Sequence, residues 1–156
     1  VLPHIGEFIV KLGESLPKEE YTEVAEHVWV HKTAKVFASA YLAGPAIIGA
    51  ETEVRQCAFV RGNALVGKGC VIDKSIIAEN TKIGEGAILG IGSEEPNKLK
   101  PAVYSFGLVT IGENSVIPDH VQIGKNTAIS GITNKEDYPD GVLGSGETLI
   151  KAGEIA

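Results

Sequence analysis

No methionine occurs anywhere in the 156 residues, and the sequence opens at Val1. That pattern fits a domain excised from something longer, a processed chain or an engineered one. Only two cysteines are present, Cys57 and Cys70, so there is neither a disulfide framework nor metal-ligand spacing. Two structural thiols suit a reducing compartment, and a cytoplasmic location is expected. No uninterrupted apolar run approaches the length of a membrane span, and no signal-like opening is visible. Basic residues are outnumbered 14 to 20, giving a formal charge of −6, which argues against a nucleic-acid partner. With 44% hydrophobic residues the chain is nevertheless able to build a core, and its length suits one domain.

What the sequence does hold is a beat of six. Aliphatic residues recur at Val30, Val36, Leu42, Ile48, Val54, Val60, Val66 and Ile72. The series slips by one, resumes at Ile77, Ile83 and Leu89, and returns at Ile111, Ile117, Ile123 and Ile129. Small residues precede the next anchor by two positions: Ala34, Ala40, Ala46, Thr52, Ala58, Ala64, Cys70, Thr81, Ala87, Ser115 and Thr127. Asparagine or glycine follows three positions after an anchor at Asn63, Gly69, Asn80, Gly86, Gly92, Asn114 and Asn126. Those residue types accept positive φ cheaply. Six residues therefore supply one short strand and one corner, the signature of a β-solenoid. One unit cannot bury its own apolar side. Coils stacked about 4.8 Å apart can, with aliphatic ladders inside and backbone bonds between coils. Ile83→Ala or Val66→Ala should then cost roughly 2–5 kcal/mol.

The expected organisation has three parts. Residues 1–27 read as a helical lead-in or cap. Leu2, Ile5, Phe8, Ile9 and Leu12 make one helix face, Gly13 marks a stop, and Lys18–Glu26 is helix-tolerant. Residues 28–132 form the repeat; the five-residue step between Ile72 and Ile77 is either a tighter corner or a local break in the beat. The beat breaks at a loop, 93–109, anchored back through Tyr104 and Phe106. Residues 133–156 read as a strap or edge strand over the last coil, and the whole as four to five coils.

These anchors and glycines resemble the hexapeptide-repeat proteins. The resemblance implies an all-β, left-handed parallel β-helix and association of three chains. Val28–Val71, above all Val54-Arg55-Gln56-Cys57-Ala58-Phe59-Val60-Arg61-Gly62-Asn63-Ala64, looks like the C-terminal β-helix of sugar-1-phosphate nucleotidyltransferases related to the bifunctional N-acetylglucosamine-1-phosphate uridylyltransferase. Ile76–Ile88, Phe106–Ile129 and Asp137-Tyr138-Pro139-Asp140-Gly141-Val142-Leu143 look like the C-terminal domain of glucose-1-phosphate adenylyltransferase-type proteins. The halves fit one mixed family or a deliberate join. Nothing resembles the glycine-rich nucleotide-binding opening of those enzymes. The resemblance therefore implies an oligomerisation or regulatory domain that does not transfer nucleotidyl groups by itself and that senses a phosphorylated sugar or nucleotide.

The rival reading is an acyltransferase using acetyl-CoA on a sugar or nucleotide-sugar. It needs a general base, and among His4, His27, His31 and His120 the candidate is His120, at a corner after Asp119. Its competing reading, shared by His31, is an ordinary surface residue. Arg55 and Arg61 each follow an anchor where glycine is commoner, on adjacent faces, and their guanidinium groups suit a phosphate or carboxylate. Solvated arginine is the plainer account. Lys68, Lys74, Lys82 and Lys125 read as solvent-facing charge. Asp137, Asp140 and Glu147 match no calcium loop, and no metal is expected.

Overall fold

The computed structural model describes residues 6–151. Helix α1 (Gly6–Ser15) is followed by strand β1 (Tyr21–Ala25), and then the chain coils. Each coil has three sides. The first coil carries β2 (Val28–His31), β3 (Lys35–Val36) and β4 (Tyr41–Leu42), and the second β5 (Ala46–Ile48), β6 (Glu53–Val54) and β7 (Phe59–Val60). The third has β8 (Ala64–Val66), β9 (Val71–Ile72) and β10 (Ser75–Ile77), the fourth β11 (Thr81–Ile83), β12 (Ile88–Ile91) and β13 (Val109–Ile111). The fifth has β14 (Val116–Ile117), β15 (Gln122–Gly124) and β16 (Thr127–Ser130). Equivalent sides stack in parallel register into three six-stranded sheets, A (β2, β5, β8, β11 and β14, with β1 added antiparallel at its edge), B (from β3) and C (from β4). No helix among the described residues is long and apolar enough to cross a membrane.

The register turns the beat into three inward ladders. Sheet A aligns Val30, Ile48, Val66, Ile83 and Ile117. Sheet B aligns Val36, Val54, Ile72, Leu89, Ile123 and Leu143. Sheet C aligns Leu42, Val60, Ile77, Ile111, Ile129 and Leu149. All seven Asn and Gly corner positions read from the sequence have positive φ. The small residues do more than leave room. Where they carry a hydroxyl it bonds a carbonyl freed at the bend, as Thr52 Oγ1 does to Gly67 O (2.8 Å) and Thr127 Oγ1 to Gly124 O (2.8 Å). Glycine is required where coils touch at a corner. A Cβ on Gly49 would lie 2.7 Å from the Gly67 carbonyl carbon and the Lys68 nitrogen. The short step after Ile72 is a two-residue corner with Lys74 at φ 45°, and it leaves Asp73 Oδ1 buried without a hydrogen-bond partner.

Three expectations change. Lys18–Glu26 contains β1, which pairs antiparallel with β2; a free sheet edge beside Tyr21, Thr22 and Val24 outweighs weak helix propensity. Gly13 does not stop the helix. It sits inside α1, where a Cβ would collide with the Trp29 ring. Nor does α1 cap the end of the coil. It lies along the outer side of sheet A, where Ile9, Leu12 and Leu16 pack on Trp29, Ile47 and Leu65. The first coil therefore stays open below β3 and β4, and the anchor Val36 is 39% exposed. Residues 133–151, read as a strap or edge strand, contain two edge strands. Strands β17 (Val142–Leu143) and β18 (Thr148–Ile150) add two sides of a sixth coil. On its third side Ile132 bridges to Val116 and buried Tyr138 closes the core.

The 93–109 loop leaves the corner between sheets B and C. Its expected anchor Phe106 is 83% exposed, because the loop is held by amides rather than aromatics. Asn97, 2% exposed, donates from Nδ2 to Asn126 O (2.9 Å) and Thr148 Oγ1 (3.1 Å). Its Oδ1 accepts from the Leu99 and Lys100 N–H groups (3.0 and 2.9 Å). Asn126 completes the clamp, accepting from Gly107 N–H and donating to Glu95 O.

Candidate functional site

Alternation along β2, β5, β8, β11 and β14 places Trp29, Ile47, Leu65, Lys82 and Val116 on the outside of sheet A. Helix α1 covers Trp29 and Ile47 and reaches the edge of Leu65. Beyond its C-terminal end lies an open groove of about 740 Å³, with Leu65, Lys82 and Val116 in its floor. Tyr21 and His31 stand at one end, Lys68, Glu85 and Asp119 along one corner, and Lys135 at the other end.

His31 is fixed there. Its Nδ1 accepts from the Thr33 N–H (3.1 Å), which leaves Nε2 as the protonated nitrogen of the neutral ring. Its ring meets Tyr21 edge-on, with centroids 4.8 Å apart. Burial, and then the Glu20 charge, push the Tyr21 hydroxyl above its ordinary pKa. Asp119 Oδ1 accepts the Glu85 N–H (2.8 Å) and so serves the backbone at its corner. The groove thus offers an apolar floor with scattered ammonium groups. It brings together no nucleophile and base, and no cluster of three or more His, Cys, Asp or Glu side chains suited to a metal occurs among the described residues.

The residues singled out from sequence lie on three different corners. Arg55, at the end of β6, donates from Nε to Glu53 Oε1 (3.0 Å). Arg61, after β7, faces Glu79 across 3.6 Å, and both side chains are about half exposed. A half-exposed pair of this kind contributes little to stability. His120 is exposed at a corner with φ 59°, its ring resting over Gly86 and making no hydrogen bond among the described residues. His4 lies outside the described residues. Cys57 is exposed, while Cys70 is buried, with its Sγ 3.0 Å from Gly84 O and its thiol pKa raised by burial. Asp137 belongs to a capped turn. The Asn134 N–H and the Lys151 ammonium hold its carboxyl below the ordinary range. The groove itself was not assembled from sequence. Its signal was Lys82, a charge in the outward series otherwise filled by Trp29, Ile47, Leu65 and Val116.

No family model matches the chain. A glucose-1-phosphate adenylyltransferase from Acetivibrio thermocellus is 38% identical over 95 residues, covering 61% of this chain and 22% of that protein. The Lachnospira eligens enzyme of the same name is 57% identical over 65 residues, covering 42% of this chain and 15% of its own length. That of Thermomicrobium roseum is 37% identical over 91 residues, 58% of this chain and 21% of its own. The chain thus spans about a fifth of the length of the curated relatives it matches. Among solved structures, a perosamine N-acetyltransferase from Caulobacter crescentus in complex with CoA and GDP-perosamine aligns over 81% of this chain and 54% of its own. Its sequence identity is 20% and its TM-score 0.33, too loose a superposition to carry an argument about this chain.

Proposed function

We propose that this chain is a non-catalytic assembly and regulatory module of a sugar-1-phosphate nucleotidyltransferase-like protein. The observation that carries the reading is a pairing of two facts. The relatives are adenylyltransferases matched over about a fifth of their length. The described residues form a side-chain-filled solenoid with no mononucleotide-binding sheet. A rod of stacked coils holds its ends at fixed separation, which suits a spacer and assembly element. The sheet A groove, with Lys68, Lys82 and Lys135 around an apolar floor, suits the phosphate and ring of a phosphorylated sugar.

The test uses the purified chain. Mixed with ATP and glucose 1-phosphate it should release no pyrophosphate, while sedimentation should show self-association. Calorimetry with glucose 1-phosphate should give a binding heat that Lys82→Glu removes. A monodisperse monomer at micromolar concentration refutes the assembly role, and absence of heat at millimolar ligand refutes the sensing role. Binding of CoA, with thioester turnover lost in His120→Ala, would replace this reading by acyl transfer.

A further inference from the structure

The first two outward rungs of sheet C are aromatic. Tyr41 and Phe59 stand one coil apart in register, 54% and 42% exposed. Their ring centroids are 4.9 Å apart and their planes are inclined at 41°. The 93–109 loop is tied to the other end of the solenoid, since Asn97 bonds Asn126 and Thr148 in the fifth and sixth coils. Beside the two rings, at the corner leading from sheet C to sheet A, lies a pocket of about 330 Å³. Tyr41, Phe59, Arg61, Gly62 and Glu79 are among the residues that line it. Its floor is backbone. A Cβ on Gly62 would lie 2.6 Å from Gly44 O, so glycine keeps that floor low.

Arg61 and Glu79 form the polar wall. Arg61 Nη2 and Glu79 Oε1 are 3.6 Å apart, near enough to offset each other's charge but too far for a hydrogen bond. The gap suits a group that accepts and donates at once. A hydroxyl does so, accepting from the guanidinium and donating to the carboxylate. A phosphate at neutral pH chiefly accepts, and Glu79 would repel it.

We propose that this corner binds an uncharged pyranose ring, as a free sugar or as one unit of an oligosaccharide. Where the ring hydroxyls are equatorial, the ring C–H bonds point axially and make two apolar faces bounded by a polar rim. One face lies on Tyr41 and Phe59, where it leaves water and meets the negative π faces of the rings. The rim hydroxyls reach Arg61 and Glu79. Two inclined rings make a shallow trough rather than a parallel slot. A puckered sugar fills it, whereas a flat base would stack on one ring only. The volume is at the small end of the roughly 300–1,000 Å³ typical of small-molecule sites, which gives room for one or two sugar rings. The proposal goes beyond the reading above and does not rest on it. The sheet A groove offers ammonium groups to a phosphate, and this corner selects against one.

The test is a nuclear magnetic resonance titration of the whole chain with cellotriose and with maltotriose, each to about 20 mM, following the Tyr41 and Phe59 ring signals. At least one trisaccharide should shift both rings and saturate with a dissociation constant on the order of 1 mM, as befits an open site. Tyr41→Ala and Phe59→Ala, both outward on the sheet, should each weaken binding at least about tenfold while leaving the circular dichroism spectrum unchanged. Glu79→Leu should weaken it too, and Lys82→Glu, in the sheet A groove, should not. Glucose 1-phosphate should move the ring signals less than glucose does at the same concentration, and the opposite order overturns the proposal. So does the absence of a shift with either trisaccharide, or binding that survives in Tyr41→Ala. Binding lost in Lys82→Glu but kept in Tyr41→Ala assigns the sugar to the groove instead. If adenosine shifts the rings and neither trisaccharide does, the corner stacks bases and the proposal is wrong. None of these results bears on self-association, so the assembly reading stands or falls separately.

Discussion

Replacing Asn97 by alanine should free the long loop without melting the solenoid. The native side chain makes four hydrogen bonds of 2.9–3.1 Å, two donated to Asn126 O and Thr148 Oγ1 and two accepted from Leu99 and Lys100 N–H. Each is worth about 0.5–1.5 kcal/mol net, and the exposed Leu99 and Lys100 amides regain water when released. The expected local cost is therefore about 2–4 kcal/mol, not the full sum. Because about 1.4 kcal/mol is tenfold in an equilibrium constant, amides held by the clamp should exchange roughly thirty to a thousand times faster. Hydrogen exchange read by mass spectrometry over 95–108 is the assay. Gly107 N–H, bonded to Asn126 Oδ1 at 2.8 Å, is a clean reporter because it lies across the clamp from the substitution. Strands β5 to β9, in the second and third coils, should keep wild-type protection. Leu99→Ala, at a residue 72% exposed, should change neither region. If Asn97→Ala leaves exchange over the loop unaltered, the loop is held by something other than its amide network, and the account of its anchoring is wrong.

Further outcomes follow from the same structure. Ile83→Ala, at a residue 3% exposed, should cost roughly 2–5 kcal/mol in urea unfolding. Val36→Ala, at a residue 39% exposed, should cost less than half of that although it sits at an equivalent beat. Gly67→Ala places a Cβ 2.9 Å from Glu85 N at a corner made wholly of backbone, and thermal unfolding should show a loss of about 1–3 kcal/mol. A thiol reagent should titrate one cysteine in the native chain and two in denaturant, because Cys57 is exposed whereas Cys70 is buried with its thiol pKa raised. Asp137 is held as a carboxylate below its ordinary pKa, so its stabilisation is complete above the unfolded value of about 3.9 and is lost as pH falls through the lower folded value. The stability difference between wild type and Asp137→Asn should accordingly shrink on acidification below about pH 4.

The solenoid was legible because its core is one-dimensional. An anchor such as Ile72 stacks between its equivalents Val54 and Leu89 one coil away and shares one core cluster with the anchors of the other two sides, so a period along the chain is a contact in space. The corners were legible for a related reason: Asn63 and Gly86 announce a left-handed backbone by their own chemistry. The five-residue step from Ile72 to Ile77 was also readable, since the anchors on either side stayed in phase. Reading failed where a residue's partner lay outside the repeat. Phe106 looks like an anchor by composition, yet the loop is held by Asn97, whose partners Asn126 and Thr148 lie 29 and 51 residues away. Strand β1 looked helix-tolerant because the free edge of β2 cannot be seen in its own letters. The groove followed the same rule, its lysines coming from three coils that no local pattern joins.

The sequence alone determined the period, the inward residues and the corner types. All of these depend on the character of a side chain and its spacing from the next copy. Tertiary structure alone decided that α1 flanks the coil and leaves its first end open, that Tyr138 closes the other, and that the 93–109 loop sets Asn97 against Thr148 on the outside of sheet C. Those features depend on which sides of a three-sided coil remain uncovered once it is closed, and a linear period is the same for all three sides.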